Sequence, residues 1–141
     1  MTSDHVKADV IGYTLYRSTA VRTPSGVQLD AILTTARDRN RALGLTGCLH
    51  YESGLFFQWL EGPEDALREV ITSISNDSRH RDMVILVEGT LPERRFEDWE
   101  MRFSDPKSAS LLDWLAGAQV STLDRRHYAD GVMTFLQSVA A

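Results

Sequence analysis

The sequence predicts an α+β fold, a single sheet with helices packed against it. Three observations lead there. Five segments read as strands and two amphipathic stretches as helices, in the order βαββαββ. A short turn containing Gly54 joins the second and third strands, as in an antiparallel hairpin. Two further apolar stripes at helical spacing follow the last strand. That order fits a ferredoxin-like sandwich, a mostly antiparallel sheet with two helices on one face, extended by two C-terminal helices.

Each element has its own signal. Val10–Ser18 is β-branched and aromatic and alternates at Ile11 and Leu15. Thr23-Pro24-Ser25-Gly26 marks a loop, and Ser25 is placed to cap a helix running to about Arg41. Leu29, Ile32, Leu33 and Ala36 form the buried face of that helix, and Gly44 ends the region. Leu45–Tyr51 and Leu55–Leu60 are the hairpin strands around Glu52-Ser53-Gly54. Gly62-Pro63-Glu64-Asp65 starts the second helix, with acids where the helix dipole favours them. Leu67, Val70, Ile71 and Ile74 are its apolar face. Met83–Gly89 is a nearly continuous apolar run, the pattern of a central strand. Phe96–Phe103 completes the sheet, with Trp99, Met101 and Phe103 on one face by the period of two. Ser108–Ala118 and Arg125–Val139 form the C-terminal helices, whose stripes cover either the open face of the sheet or a partner chain.

Composition bounds the function. A chain of 141 residues with 43% hydrophobic and 25% charged residues suits one globular domain that folds without staples. The single cysteine, Cys48, excludes an intrachain disulfide and any zinc site needing two thiolates, and it reads as a small buried apolar residue. A net charge of −5 argues against binding a nucleic-acid backbone. No apolar run is long enough to span a bilayer, and the first residues lack the apolar core of a secretory signal. A cytoplasmic protein is expected. His50 and His127 show no metal-ligand spacing and read as structural or exposed, so no metal is expected. Trp59 reads as sheet packing, Trp114 as an anchor between the tail and the sheet, and Glu61-Gly62 as the turn from strand to helix.

The chemistry lies in Phe56-Phe57-Gln58-Trp59-Leu60-Glu61-Gly62, where an amide interrupts an apolar strand. A buried amide is costly unless its donors and acceptor find partners. Tyr16 on the first strand and Asn40 on the first helix supply two more polar groups, with Ile32 and Ala36 as a small or aliphatic wall. Together they suit a flat heterocycle with alternating donors and acceptors.

On these residues the chain resembles the BLUF domains, flavin-based blue-light sensors. The resemblance rests on Tyr16-Arg17-Ser18, Asn40, Leu45-Thr46-Gly47, the Phe56–Gly62 segment, Asp77-Ser78-Arg79-His80 and Phe96–Met101, in the family's order and spacing. It covers residue 10 to about 104. It implies a photosensory domain over residues 1–105, ordered from about residue 9, and a helical extension over 106–141, of the short stand-alone type. It implies FAD bound non-covalently, with Asn40 on the pyrimidine side of the ring and Gln58 between the flavin and Tyr16. Ile32 and Phe56 would enclose the ring, and Arg79 and His80 would follow the phosphate and adenine part. Light would drive electron and proton transfer from Tyr16, leaving Gln58 rearranged and the absorption reversibly red-shifted. Trp99 and Met101 would pass the change to the last strand and the C-terminal helices. The implied protein is a switch and no enzyme, forms a homodimer, and acts on an unidentified protein partner. Ala36 departs from members that carry serine there, and Arg39 occupies a variable position. Two alternatives stand beside this reading: a hydrolase of acylphosphatase type on the same sandwich, and a regulatory module that binds a ligand without photoactivity.

Overall fold

The computed structural model describes residues 10–96, 101–120 and 124–140. The chain runs β1 (Ile11–Ala20), α1 (Gly26–Leu43), β2 (Thr46–Glu52), β3 (Leu55–Gly62), α2 (Glu64–Ser75), β4 (His80–Leu91), β5 (Arg102–Ser104), α3 (Leu111–Gly117) and α4 (Arg125–Ala140). The strands form one sheet in the order β4-β1-β3-β2-β5. Every pairing is antiparallel except β2 with β5, which is parallel. This is the predicted sandwich, with β5 added beside β2.

Local chemistry sets the joints. Ser25 caps α1 in a reciprocal box: its hydroxyl accepts from the Gln28 N–H at 3.1 Å and the Gln28 side chain accepts from the Ser25 N–H at 2.8 Å. Gly44 closes α1 in the left-handed conformation (φ 71°) and returns its N–H to the Asn40 carbonyl. At Gly47 the hairpin strands approach so closely that a Cβ would lie 1.9 Å from the Trp59 carbonyl oxygen.

The alternation of β3 divides the interior in two. On one face Leu33 and Ala36 of α1 and Leu67 and Val70 of α2 pack on Leu45, Leu49, Phe56 and Leu60. On the other face α3 and α4 bring Leu111, Leu115, Val132, Phe135 and Leu136 against Leu15, Cys48, Phe57 and Trp59. The C-terminal helices therefore cover the face that α1 and α2 leave open. Trp114 packs edge-on against Phe135, 6.2 Å between ring centres, so it chiefly joins α3 to α4.

Two strands depart from expectation. The apolar run in β4 is an edge strand, not a central one. Its Val84, Leu86, Val87 and Leu91 are apolar because they pack against the cluster under α3 and α4. Arg125 of α4 also donates to the Ile85 carbonyl. The last strand is far shorter than Phe96–Phe103. Phe96 is buried in the connection after β4, Met101 precedes β5, and Trp99 lies outside the described residues.

Polar groups sealed in the core hold these pieces in register. Glu61, read from sequence as a turn residue, is completely buried inside β3. Its carboxylate accepts from Trp59 Nε1 at 2.8 Å and from the backbone N–H groups of Arg95 and Phe96 at 2.8 and 3.0 Å. Arg94 adds bonds to Thr46 Oγ1 and the Gly44 carbonyl, so the segment after β4 is pinned to the hairpin. On β2, the buried His50 bonds Ser104 Oγ at 2.7 Å and Glu52 at 2.9 Å. Glu52 in turn accepts from Ser110 Oγ and the N–H groups of Leu111 and Leu112, capping α3. Burial raises the Glu52 pKa, but these hydrogen bonds outweigh it and hold the carboxyl below its ordinary range.

Candidate flavin site

Tyr16 and Gln58 face each other across the β1–β3 ladder. The strands place both side chains on the face covered by α1 and α2, and both are almost fully buried. The Tyr16 hydroxyl donates to Gln58 Oε1. The other end of the same amide, Nε2, reaches Met101 Sδ at 3.5 Å. Arg37 of α1 fixes Met101 from behind by donating to its backbone carbonyl at 2.9 Å. A β-bulge in β4 lies beside this cluster: Leu15 pairs with Val87 but Tyr16 with Ile85, so Leu86 is extra.

A cleft of about 590 Å³, counted to its open mouth, lies over this pair. Ile32 and Ala36 of α1 line it, with Leu49, Phe56 and Ile74 adding apolar surface. Tyr16, Gln58, Ser18, Arg39, Asp77, Arg79 and His80 supply the polar groups. A second cavity, lined by Arg22, Gln28 and Ser78 among others, shares Ile32, Phe56 and Arg79 with the first. The two cavities adjoin at these three residues.

Of the site residues expected from sequence, Tyr16, Gln58, Ile32, Phe56, Arg79 and His80 line the same cleft. Asn40 does not line it. It is completely buried on α1, and its Oδ1 accepts from the Arg39 guanidinium at 3.2 and 3.3 Å. Arg79 is held by Asp77 through contacts of 2.5 to 3.0 Å at the exposed end of the cleft. Its bonds hold the Asp77 carboxyl below its ordinary range. Burial pushes the Tyr16 phenol well above its ordinary pKa; Arg39 pulls it down and Asp77 adds to the rise. Tyr16 is therefore a firmly protonated donor. Burial lowers the pKa of Arg39, which Tyr16 partly restores.

Sequence reading missed Arg37 and the structural weight of Glu61, and it gave Ser18 no role beyond its place in the family motif. Arg37 sits among ordinary polar neighbours and carried no signal of its own. Glu61 did: it is a lone carboxylate in an otherwise apolar strand.

The cleft tests directly for a polar, flat ligand. Among the described residues, two buried side-chain atoms lack a hydrogen-bond partner, Ser18 Oγ and His80 Nδ1. Both residues line this cleft. Buried polar groups are rarely left unpaired, so the cleft fits a ligand with polar atoms at those points and a planar apolar body between them. A flavin nucleotide has that chemistry.

Fold and site together define a small α+β domain built around a buried Tyr–Gln pair. The profile of the BLUF family, described as sensors of blue light using FAD, matches residues 11–102, and the chain belongs to that family. A photoactivated adenylate cyclase subunit beta from Euglena longa is 41% identical over 109 residues, covering 72% of this chain but 13% of the relative's length. The chain thus spans only a small part of that longer protein. Among solved structures, the dark-state structure of BlrB, a BLUF protein, matches with a TM-score of 0.72 and 29% identity, covering 89% of this chain and 98% of that one. The photo-activated state of BlsA matches with a TM-score of 0.75 at 22% identity, covering 92% and 94% of the two chains, a likeness of fold. As a BLUF protein the chain is a blue-light sensor that uses FAD. Among the described residues no helix is long and apolar enough to cross a membrane.

Proposed function

We propose that the chain is a light-driven hydrogen-bond switch in which Tyr16 and Gln58 convert absorption into a displacement of Met101. The observation that carries this is the buried chain Tyr16–Gln58–Met101 on the wall of the cleft. Ile32, Ala36 and Phe56 would enclose the FAD ring. Arg39, which lines the cleft and holds Asn40 behind it, would stand by the ring, and Arg79 would stand near the phosphates, where a guanidinium pairs well. Bound FAD supplies the absorption of blue light and, once excited, a one-electron oxidant.

Tyr16 gives the electron. Its phenolic proton already points at Gln58 Oε1, so the proton has an acceptor along an existing hydrogen bond. When the electron returns and the phenol is restored, Gln58 is left rotated or tautomerised. The dark arrangement satisfies both ends of the amide: the carbonyl accepts from Tyr16 and the NH2 faces the thioether. A half-turn would set two acceptors, Oε1 and Sδ, against each other, so Met101 must shift.

Met101 leads directly into β5. From Ser104 the buried chain through His50 and Glu52 reaches the first N–H groups of α3. This route gives the output a physical path, by way of a packed element with two arrangements. The receiver is a second copy of the chain or a separate protein that reads α3 and α4. Trp99 belongs to the same proposed output segment.

Hydrogen exchange followed by mass spectrometry tests this reading. Illumination should change exchange in peptides covering residues 102–104 and 111–117. In Ser104→Ala the red shift should persist while the change at 111–117 falls to less than about half, since one ~1 kcal/mol bond of the route is gone. An undiminished light response of α3 in that variant would refute the route.

A further inference from the structure

We propose that Ser18 and His80 form a recognition point for a hydroxyl group on the polyol chain of the flavin, rather than for its phosphates or its ring. The proposal rests on the flavin reading above and deepens it. Ser18 is 1% exposed, and its hydroxyl has no partner. His80 Nδ1 is equally sealed and unpartnered. Both residues line the cleft.

The chemistry of the two atoms selects the ligand group. His80 Nε2 lies within hydrogen-bonding distance of the Ile74 carbonyl oxygen, which can only accept. Nε2 therefore carries a proton, and Nδ1, when it carries none, is an acceptor that needs a donor. A phosphate oxygen offers no such donor. An alcohol does both, donating to Nδ1 and accepting from the serine hydroxyl.

Position agrees. Ser18 lies two residues beyond Tyr16 on the same face of β1, about 6.5 Å along the strand. It pairs in register with Phe56, which lines both the inner cleft and the outer cavity containing Arg22 and Ser78. Ser18 therefore stands where a ligand passes from its ring, beside Gln58, to its charged end. In a flavin nucleotide that stretch is the polyol.

The test titrates the full chain, freed of flavin, with riboflavin and with lumiflavin, which has the same ring but no polyol. Ser18→Ala should weaken riboflavin about fivefold or more and leave lumiflavin within about twofold, the loss expected for one hydrogen bond. His80→Phe keeps a ring against Tyr16 and should show the same selectivity. The flavin-free Ser18→Ala protein should melt no lower than the wild type, because the hydroxyl it loses is unbonded. Unchanged riboflavin affinity overturns the proposal. Equal weakening of both flavins also overturns it, by placing Ser18 against the ring, as does a lower melting temperature of the flavin-free variant. A wild-type chain that binds neither flavin overturns the flavin reading itself, and this proposal with it.

Discussion

Tyr16→Phe is expected to keep FAD bound and to abolish the reversible red shift. Phenylalanine preserves the buried ring and its packing on β1. It removes the electron-rich phenol and the proton that the structure directs at Gln58 Oε1. Burial keeps that phenol protonated, so electron loss must be coupled to the hydrogen bond. The variant leaves one buried carbonyl without its donor, which costs about 1–3 kcal/mol of stability and does not unfold the domain. Absorption spectra before and during illumination decide the matter. A full, reversible shift in the variant would remove Tyr16 from the photochemistry.

The largest effect on stability is expected at Glu61. Its carboxylate is completely buried and satisfies the Trp59 indole N–H and two backbone N–H groups of the segment after β4. Glu61→Ala leaves these donors unpaired at a cost of about 1–3 kcal/mol each. Some relaxation toward water is expected, so a total loss of about 4 kcal/mol is a fair expectation. For a domain of this size that corresponds to a melting temperature lower by roughly 10 °C or more. Glu61→Gln keeps one acceptor oxygen and should fall between the two. A melting temperature for Glu61→Ala within about 3 °C of the wild type would show that water or another acceptor replaces the carboxylate.

Much of this architecture was legible in the sequence because local signals and tertiary needs agree. Ser25 announces the start of α1, Gly44 its end, and the alternation around Gln58 correctly separates that amide from Trp59. The apolar run in β4 misled because periodicity reports burial and not strand order. An edge strand sealed by α4 looks like a central one. The shortness of β5 was hidden for a related reason: Phe96 and Met101 are buried by contacts outside the ladder, Phe96 beside Glu61 and Met101 beside Gln58. Tyr16, Gln58 and Phe56 could be paired from pattern and resemblance. The dependence of Met101 on Arg37 comes from the way α1 crosses the sheet, which no spacing in the sequence reveals.

The light-minus-dark absorption spectrum of the purified chain tests the central claim most directly. A Tyr16–Gln58 pair beside bound FAD predicts a yellow protein whose flavin bands move to longer wavelength under blue light and return in darkness with the flavin still oxidised. A colourless protein, or a flavin that bleaches without a reversible red shift, would contradict it.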